Sequence, residues 1–208
     1  MRTTTALLAA ALTTTLLAGC GADDSSATEQ TLSDTEHNDA DVTFAQDMIP
    51  HHAQALTLVD LTLDRDVDPG IADLAEQIRA EQAPEIETMA GWLSDWDEEV
   101  PETVRDHSNA GHGGGAASDA MREMEADGDA PAMAGMLTAD QLEALEQASD
   151  DEFGALWVDA MIAHHTGAIA MAEAEQADGR YRPAVELAGD VVEAQTAEIA
   201  ELEQLLGG

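Results

Sequence analysis

Met48-Ile49-Pro50-His51-His52-Ala53-Gln54-Ala55 and Met161-Ile162-Ala163-His164-His165-Thr166-Gly167-Ala168 are one motif written twice. The second stands 113 positions after the first, and the same ungapped offset lays residues 74–93 onto residues 187–206. That second pairing matches Leu74/Leu187, Ala75/Ala188, Gln82/Gln195, Glu85/Glu198, Ile86/Ile199 and Leu93/Leu206. The chain therefore contains an internal repeat. Positions held in common while their neighbours drifted mark what both copies retain.

Each copy reads as two helices. In the first, Phe44, Met48, His52, Ala55, Val59 and Leu63 recur at the three-to-four spacing of a helical stripe. Asp68-Pro69 supplies an N-cap and an N1 proline for a second helix, with the stripe Leu74, Ile78, Gln82, Ile86, Met89, Leu93. The second copy gives Trp157, Met161, His165, Ala168, Ala172 and then Leu187, Val191, Gln195, Ile199, Leu202, Leu206. Pro50 and Pro84 fall inside the first copy's helices and are expected to kink them, whereas Ala163 and Ala197 replace them in the second. Thr138-x-x-Gln141 and Ser149-x-x-Glu152 read as capping boxes, predicting a short helix over 138–148 and a long one after it. Two helix pairs with apolar stripes bury those stripes most simply as an all-α four-helix bundle of two two-helix repeats. The boundaries are 42–96 for the first repeat, 97–148 for the connector and 149–207 for the second repeat.

Composition narrows the partners. The 208 residues carry a formal charge of −37 and no lysine, which excludes nucleic acid and an anionic membrane surface as electrostatic partners. With 44% hydrophobic residues a core is still possible, and 3% aromatics favour helices over a β-sandwich. One cysteine excludes an intramolecular disulfide, a cysteine-based zinc site and an iron–sulfur cluster. That cysteine, Cys20, follows an apolar run over residues 6–18 and the small residues Ala18-Gly19. The pattern resembles a bacterial lipoprotein signal over residues 1–19, lipidated at Cys20 and anchoring the protein outside the cytoplasm. Residues 20–41 are polar and acidic and read as a flexible tether, with His37 solvated within it.

The motif carries chemistry. Met48 lies three and four positions before His51 and His52, so the three share one helix face; Met161, His164 and His165 repeat this. His52 and His165 are mid-stripe and point inward, while His51 and His164 lie at the stripe's edge. Adjacent histidines diverge by about 100°, so one helix is not expected to bring both to one point. Gln82 and Glu85, with Gln195 and Glu198, share a face on the partner helices and suit the task of orienting imidazoles. Imidazole with thioether favours copper, and thioether favours Cu(I). No Glu-x-x-His occurs, which weighs against a di-iron oxidase on this fold. Met133 and Met136 are further candidate ligands; Met121 and Met124 read more as core filler. His107 and His112 are candidate Cu(II) contacts or ordinary loop residues. No nucleophile–base arrangement or phosphate loop is present, so no catalytic residue is assigned.

Met-Ile-x-His-His-x-x-Ala followed by Gln-x-x-Glu-Ile and Trp-Leu, with Ala132-Met133-Ala134-Gly135-Met136 ahead of the second copy, resembles the DUF305 family of bacterial secreted proteins over residues 42–206. The resemblance implies a ferritin-like four-helix bundle. It also implies a metal role for Met48, His51, His52, Met161, His164 and His165, since some members are implicated in periplasmic copper binding and resistance. Leu58 stands where the second copy has Met171 and where the family often has methionine, so the copies are unequal. The resulting expectation is a lipid-anchored copper buffer or carrier, with one shared centre or two, handing its ion to a transfer partner or acting as an oligomer. The alternatives are a structural or partner-binding envelope module with a buried His/Gln network, and a ferritin-like metal oxidase.

Overall fold

The computed structural model describes residues 31–109, 116–128 and 133–207. The expected leader, Cys20, His112 and the glycine run at 111–115 lie outside them. Seven helices are present among the described residues: α1 (Asp39–Asp60), α2 (Pro69–Asp95), α3 (Val104–Asn109), α4 (Ala117–Asp127), α5 (Ala139–Gln147), α6 (Asp150–Asp178) and α7 (Arg182–Leu206). The long four form an all-α bundle, and the short three fill the connector.

Local chemistry sets the ends. Asn38 accepts the backbone N–H groups of Ala40 and Asp41 at 3.0 and 3.1 Å, while the Asp41 carboxylate accepts the Asn38 N–H at 2.6 Å. That reciprocal pair satisfies donors that α1 leaves open. Asp68 and Pro69 start α2 as the sequence predicts. Thr138 and Gln141 form the expected box ahead of α5. The Ser149 box does not form: its hydroxyl donates to the Glu152 carboxylate at 2.7 Å and leaves the backbone uncapped. Three acids in the first turn of α6 favour the positive helix end instead. Both α1 and α2 run unbroken through Pro50 and Pro84.

The core has two apolar clusters. One gathers Leu58, Ile71, Leu74, Ile78, Phe153, Trp157, Met161 and Leu202; the other gathers Phe44, Met48, Met89, Leu93, Ala168, Ala172 and Val191. Every long helix contributes to both, in an order that reveals its direction. Helices α1 and α7 pass from the second cluster to the first, and α2 and α6 from the first to the second. Hence α1 is antiparallel to α2 and to α6, and α6 to α7. Between the two contributions each helix carries buried polar residues: His51 and His52 on α1, Gln82 on α2, His164 and His165 on α6, Gln195 and Glu198 on α7. A polar layer crosses the bundle at mid-height.

The N-terminal stretch departs from the tether reading. Ser33 exchanges backbone hydrogen bonds with Arg180 and Arg182, each 2.8 Å, and His37 stacks on Trp96 with centroids 4.3 Å apart. Buried Asp41 also accepts the N–H groups of Arg180 and Tyr181 at 3.0 and 2.8 Å. Polar residues that read as solvated are held by the backbone of the α6–α7 turn, so His37 is a packed residue and the segment is docked from Ser33 onward.

Candidate metal centre

The antiparallel pairing of α1 and α6 brings the two motifs face to face. All four motif histidines are fully buried. The edge position assigned to His51 and His164 is corrected by this packing, because the edge of each stripe is where α1 and α6 meet. The rings of His51 and His164 lie 3.8 Å apart between centroids, tilted by 41°. His52 and His165 turn instead toward the partner helices. His52 Nε2 lies 2.7 Å from Glu85, and His165 Nε2 lies 2.9 Å from Glu198. The expected divergence of adjacent imidazoles is thus realised as a central pair and two flanking His–Glu pairs.

These partners fix the tautomers. A carboxylate only accepts, so Nε2 of His52 and of His165 carries the proton. His51 Nε2 sits 3.2 Å from the Ala134 carbonyl oxygen and must also be the donor. The Nδ1 atoms of all three rings are left without a hydrogen-bond partner. His164 makes no well-aligned hydrogen bond at either nitrogen, and its polar contact is with the His51 backbone. Burial, then the neighbouring imidazoles, push His164 well below its ordinary range. Burial and then His52 push His51 down to about 3. Both rings are therefore neutral near pH 7 and keep electron pairs to donate. The amide of Gln82 and the Gln195 oxygen are likewise buried without partners. Each such group costs about 1–3 kcal/mol if nothing fills the need.

The remaining expected donors fall in graded positions. Met48 and Met161 are fully buried on opposite sides of the polar layer, one in each apolar cluster. Met136 is half-buried against the first cluster, and Met133 is half-buried beside it in sequence. Met121 and Met124 on α4 are buried in the apolar core, as filler. His107 is 25% exposed, 3.3 Å from Glu102, and stands apart from the central rings. Glu85 and Glu198 take the orienting role read from sequence, whereas Gln82 and Gln195 touch no imidazole through a hydrogen bond. Among the described residues, no group of three His, Cys, Asp or Glu side chains is placed to hold a metal ion. The donor set on offer is neutral imidazole and thioether, which suits a soft ion of low coordination number.

Sequence reasoning missed the residues that close this layer. Gln54 donates to the Leu137 carbonyl at 2.9 Å and accepts the Leu137 N–H at 2.7 Å, holding the segment that supplies the Ala134 carbonyl. The only signal was the contrast of Gln54 with Gly167 at equivalent positions of the repeat.

Residues 41–206 match the profile of the family described as Domain of unknown function (DUF305). The chain belongs to the DUF305 family. Its solved relatives share the fold. A DUF305 fragment from Deinococcus radiodurans is 25% identical, with TM-score 0.63 over 82% of this chain and 97% of that one. A DUF305 protein of Streptomyces coelicolor, assigned to secreted proteins, is 27% identical, with TM-score 0.64 over 81% and 92%. CopM, solved in Cu(I)-bound and Cu(II)-bound forms, is 25% identical, with TM-score 0.58 over 79% and 93%. Among curated proteins none matches. No helix among the described residues of this DUF305 chain is long and apolar enough to cross a membrane.

Proposed function

We propose that this DUF305 protein binds copper outside the cytoplasm, as a lipid-anchored buffer or carrier held at Cys20. The ion sits at a single centre built on His51 and His164, with Met48 and Met161 as thioether donors from either side of the polar layer. The observation that carries the reading is the buried, neutral pair His51 and His164, whose Nδ1 atoms have no hydrogen-bond partner. Interior packing gives no reason to keep such groups in both copies, whereas a soft cation between His51 and His164 would turn their cost into bonds. Cu(I) is favoured over Cu(II) by the thioethers. CopM, with its copper-bound forms, supports the metal class. His52 and His165, tied to Glu85 and Glu198, orient the layer. Met133 and Met136 are available as transfer donors where the connector reaches it.

A second reading rests on those same His–Glu contacts, which are complete hydrogen bonds without any ion. In it the layer is a structural network of an envelope module. Competition of the protein against a Cu(I) chelator separates the two. The parent is expected to withdraw Cu(I), and the His51→Ala/His164→Ala protein is expected to lose that ability while keeping its helical circular dichroism. Uptake equal to the parent's in that variant would leave only the structural network.

A further inference from the structure

Residues 133–137 belong to no helix, yet they are fixed from both repeats. From α1, Gln54 grips Leu137 through its N–H and its carbonyl, at 2.7 and 2.9 Å. From α6, the backbone comes so close that side chains are forbidden. A Cβ on Gly167 would stand 1.8 Å from the Ala134 oxygen, and a Cβ on Gly135 would stand 2.4 Å from the Ala163 oxygen. Gly135 also has φ of +83°, a conformation that other residues rarely hold. The Ala134 carbonyl pressed against Gly167 is the one that His51 Nε2 hydrogen-bonds at 3.2 Å. Gln54 and Gly167 are equivalent positions of the repeat. One copy holds the segment and the other makes room for it.

Beyond these contacts the segment is anchored by Leu137 and Met136 on the first apolar cluster, and its own backbone is weakly bonded. Its internal backbone bond, from the Met136 N–H to the Met133 carbonyl, is long at 3.4 Å. A cavity of about 520 Å³ borders it, lined by Gly135, Met136 and Leu137 on one side and by Leu156, Ala160 and Ala163 of α6 on another. The segment thus has space to move into without disturbing the four long helices. Local opening of this kind takes far less free energy than unfolding.

We infer that residues 133–137 are a strap closing the His51/His164 pair, that Gln54 is its latch, and that soft ions pass when the latch releases. The function of the strap rests on the copper reading above; its mechanics do not. Gln54 hydrogen-bonds Leu137 and no proposed ligand, and acts by positioning the strap.

Diethyl pyrocarbonate, which carbethoxylates neutral imidazoles it can reach, tests the mechanics on the metal-free chain, with modification followed residue by residue by mass spectrometry. Gln54→Ala is expected to speed modification of His51 and His164 about tenfold, the change that loss of about 1.4 kcal/mol of closure produces. His52 and His165, held by Glu85 and Glu198, are expected to stay near the parent rate. Gly167→Ala, which sets a methyl group where the Ala134 oxygen lies, should reach the same result from the other repeat. The unmutated chain gives a check that needs no variant: by hydrogen exchange, the Leu137 amide should exchange ahead of the mid-helix amides of α1 and α6. The strap is overturned if His51 in both variants reacts no faster than in the parent. It is also overturned if all four histidines accelerate together, or if Leu137 exchanges no faster than α1. Silver(I) alone, added to the parent, then separates the two ideas. Protection of His51 and His164 supports strap and site together, while no protection beside the expected variant rates keeps the strap and removes the soft-ion reading.

Discussion

The two repeats hold the same imidazoles in different surroundings. Glu85, which orients His52, has 18% of its side chain exposed, whereas Glu198, which orients His165, has 1%. The first copy offers Gln54 to the strap and an aliphatic Leu58; the second offers Gly167 and a thioether, Met171. Duplication supplied matched imidazoles, and the copies then came to differ, one orienting glutamate fully enclosed and the other partly open to solvent, with both copies touching the strap. The likeness thus preserves the four imidazoles, and the unlikeness sets how much of their surroundings meets solvent.

Glutamate removal should break this comparison most strongly. Glu198→Ala leaves the His165 N–H without an acceptor in a place water does not reach, at an expected cost of about 3 kcal/mol. Glu85→Ala leaves a group that water can satisfy, at about 1 kcal/mol. Urea denaturation measures both, and equal losses would erase the distinction between a closed and an open half.

Proton binding sharpens it next. Burial, and after it the neighbouring Asp41, lift Glu175 on α6 from its ordinary 4.5 to about 9. Asp178 faces the same carboxyl and adds to the shift. Between those values the folded chain holds a proton there that the unfolded chain releases. This group's contribution to stability is therefore largest below pH 4.5 and declines as pH rises to about 9. Glu175→Gln should melt above the parent at pH 8, with the gap narrowing toward pH 5. A gap independent of pH would show that the carboxyl is ionised when folded. Thr62, the equivalent residue of the first copy, has no such charge to lose.

The smallest expected effect tests the thioether difference. Leu58→Met restores the symmetry at nearly constant volume and should change stability by less than about 1.5 kcal/mol. If both copies serve one centre, silver(I) titrated into this variant keeps the parent's stoichiometry. A second equivalent would mean that each copy forms its own site.

Much of this was legible before the structure. The fixed offset of the repeat pointed to His51, His52, His164, His165, Glu85 and Glu198 together, and helical spacing put them on facing helices. What periodicity cannot express is a helix edge that becomes an interface; hence His51 and His164 read as edge residues of separate helices and are found ring against ring. The strap was illegible for a related reason. Gln54 and Leu137 are joined across 83 positions by side-chain bonds to a backbone with no pattern of its own. At the N-terminus, Ser33 and Asp41 looked like solvated residues because composition records polarity without recording who satisfies it. The backbone of the α6–α7 turn does.

The polar layer also divides the oily interior into an upper and a lower half, joined at a waist of imidazoles and amides that supplies little hydrophobic adhesion of its own. Heat should therefore act on the ion-free protein as on two weakly welded blocks, giving a broad calorimetric transition. An ion bonded to Met48 and Met161, which lie in different clusters, as well as to His51 and His164 would rivet the blocks, and the two halves would then melt as one.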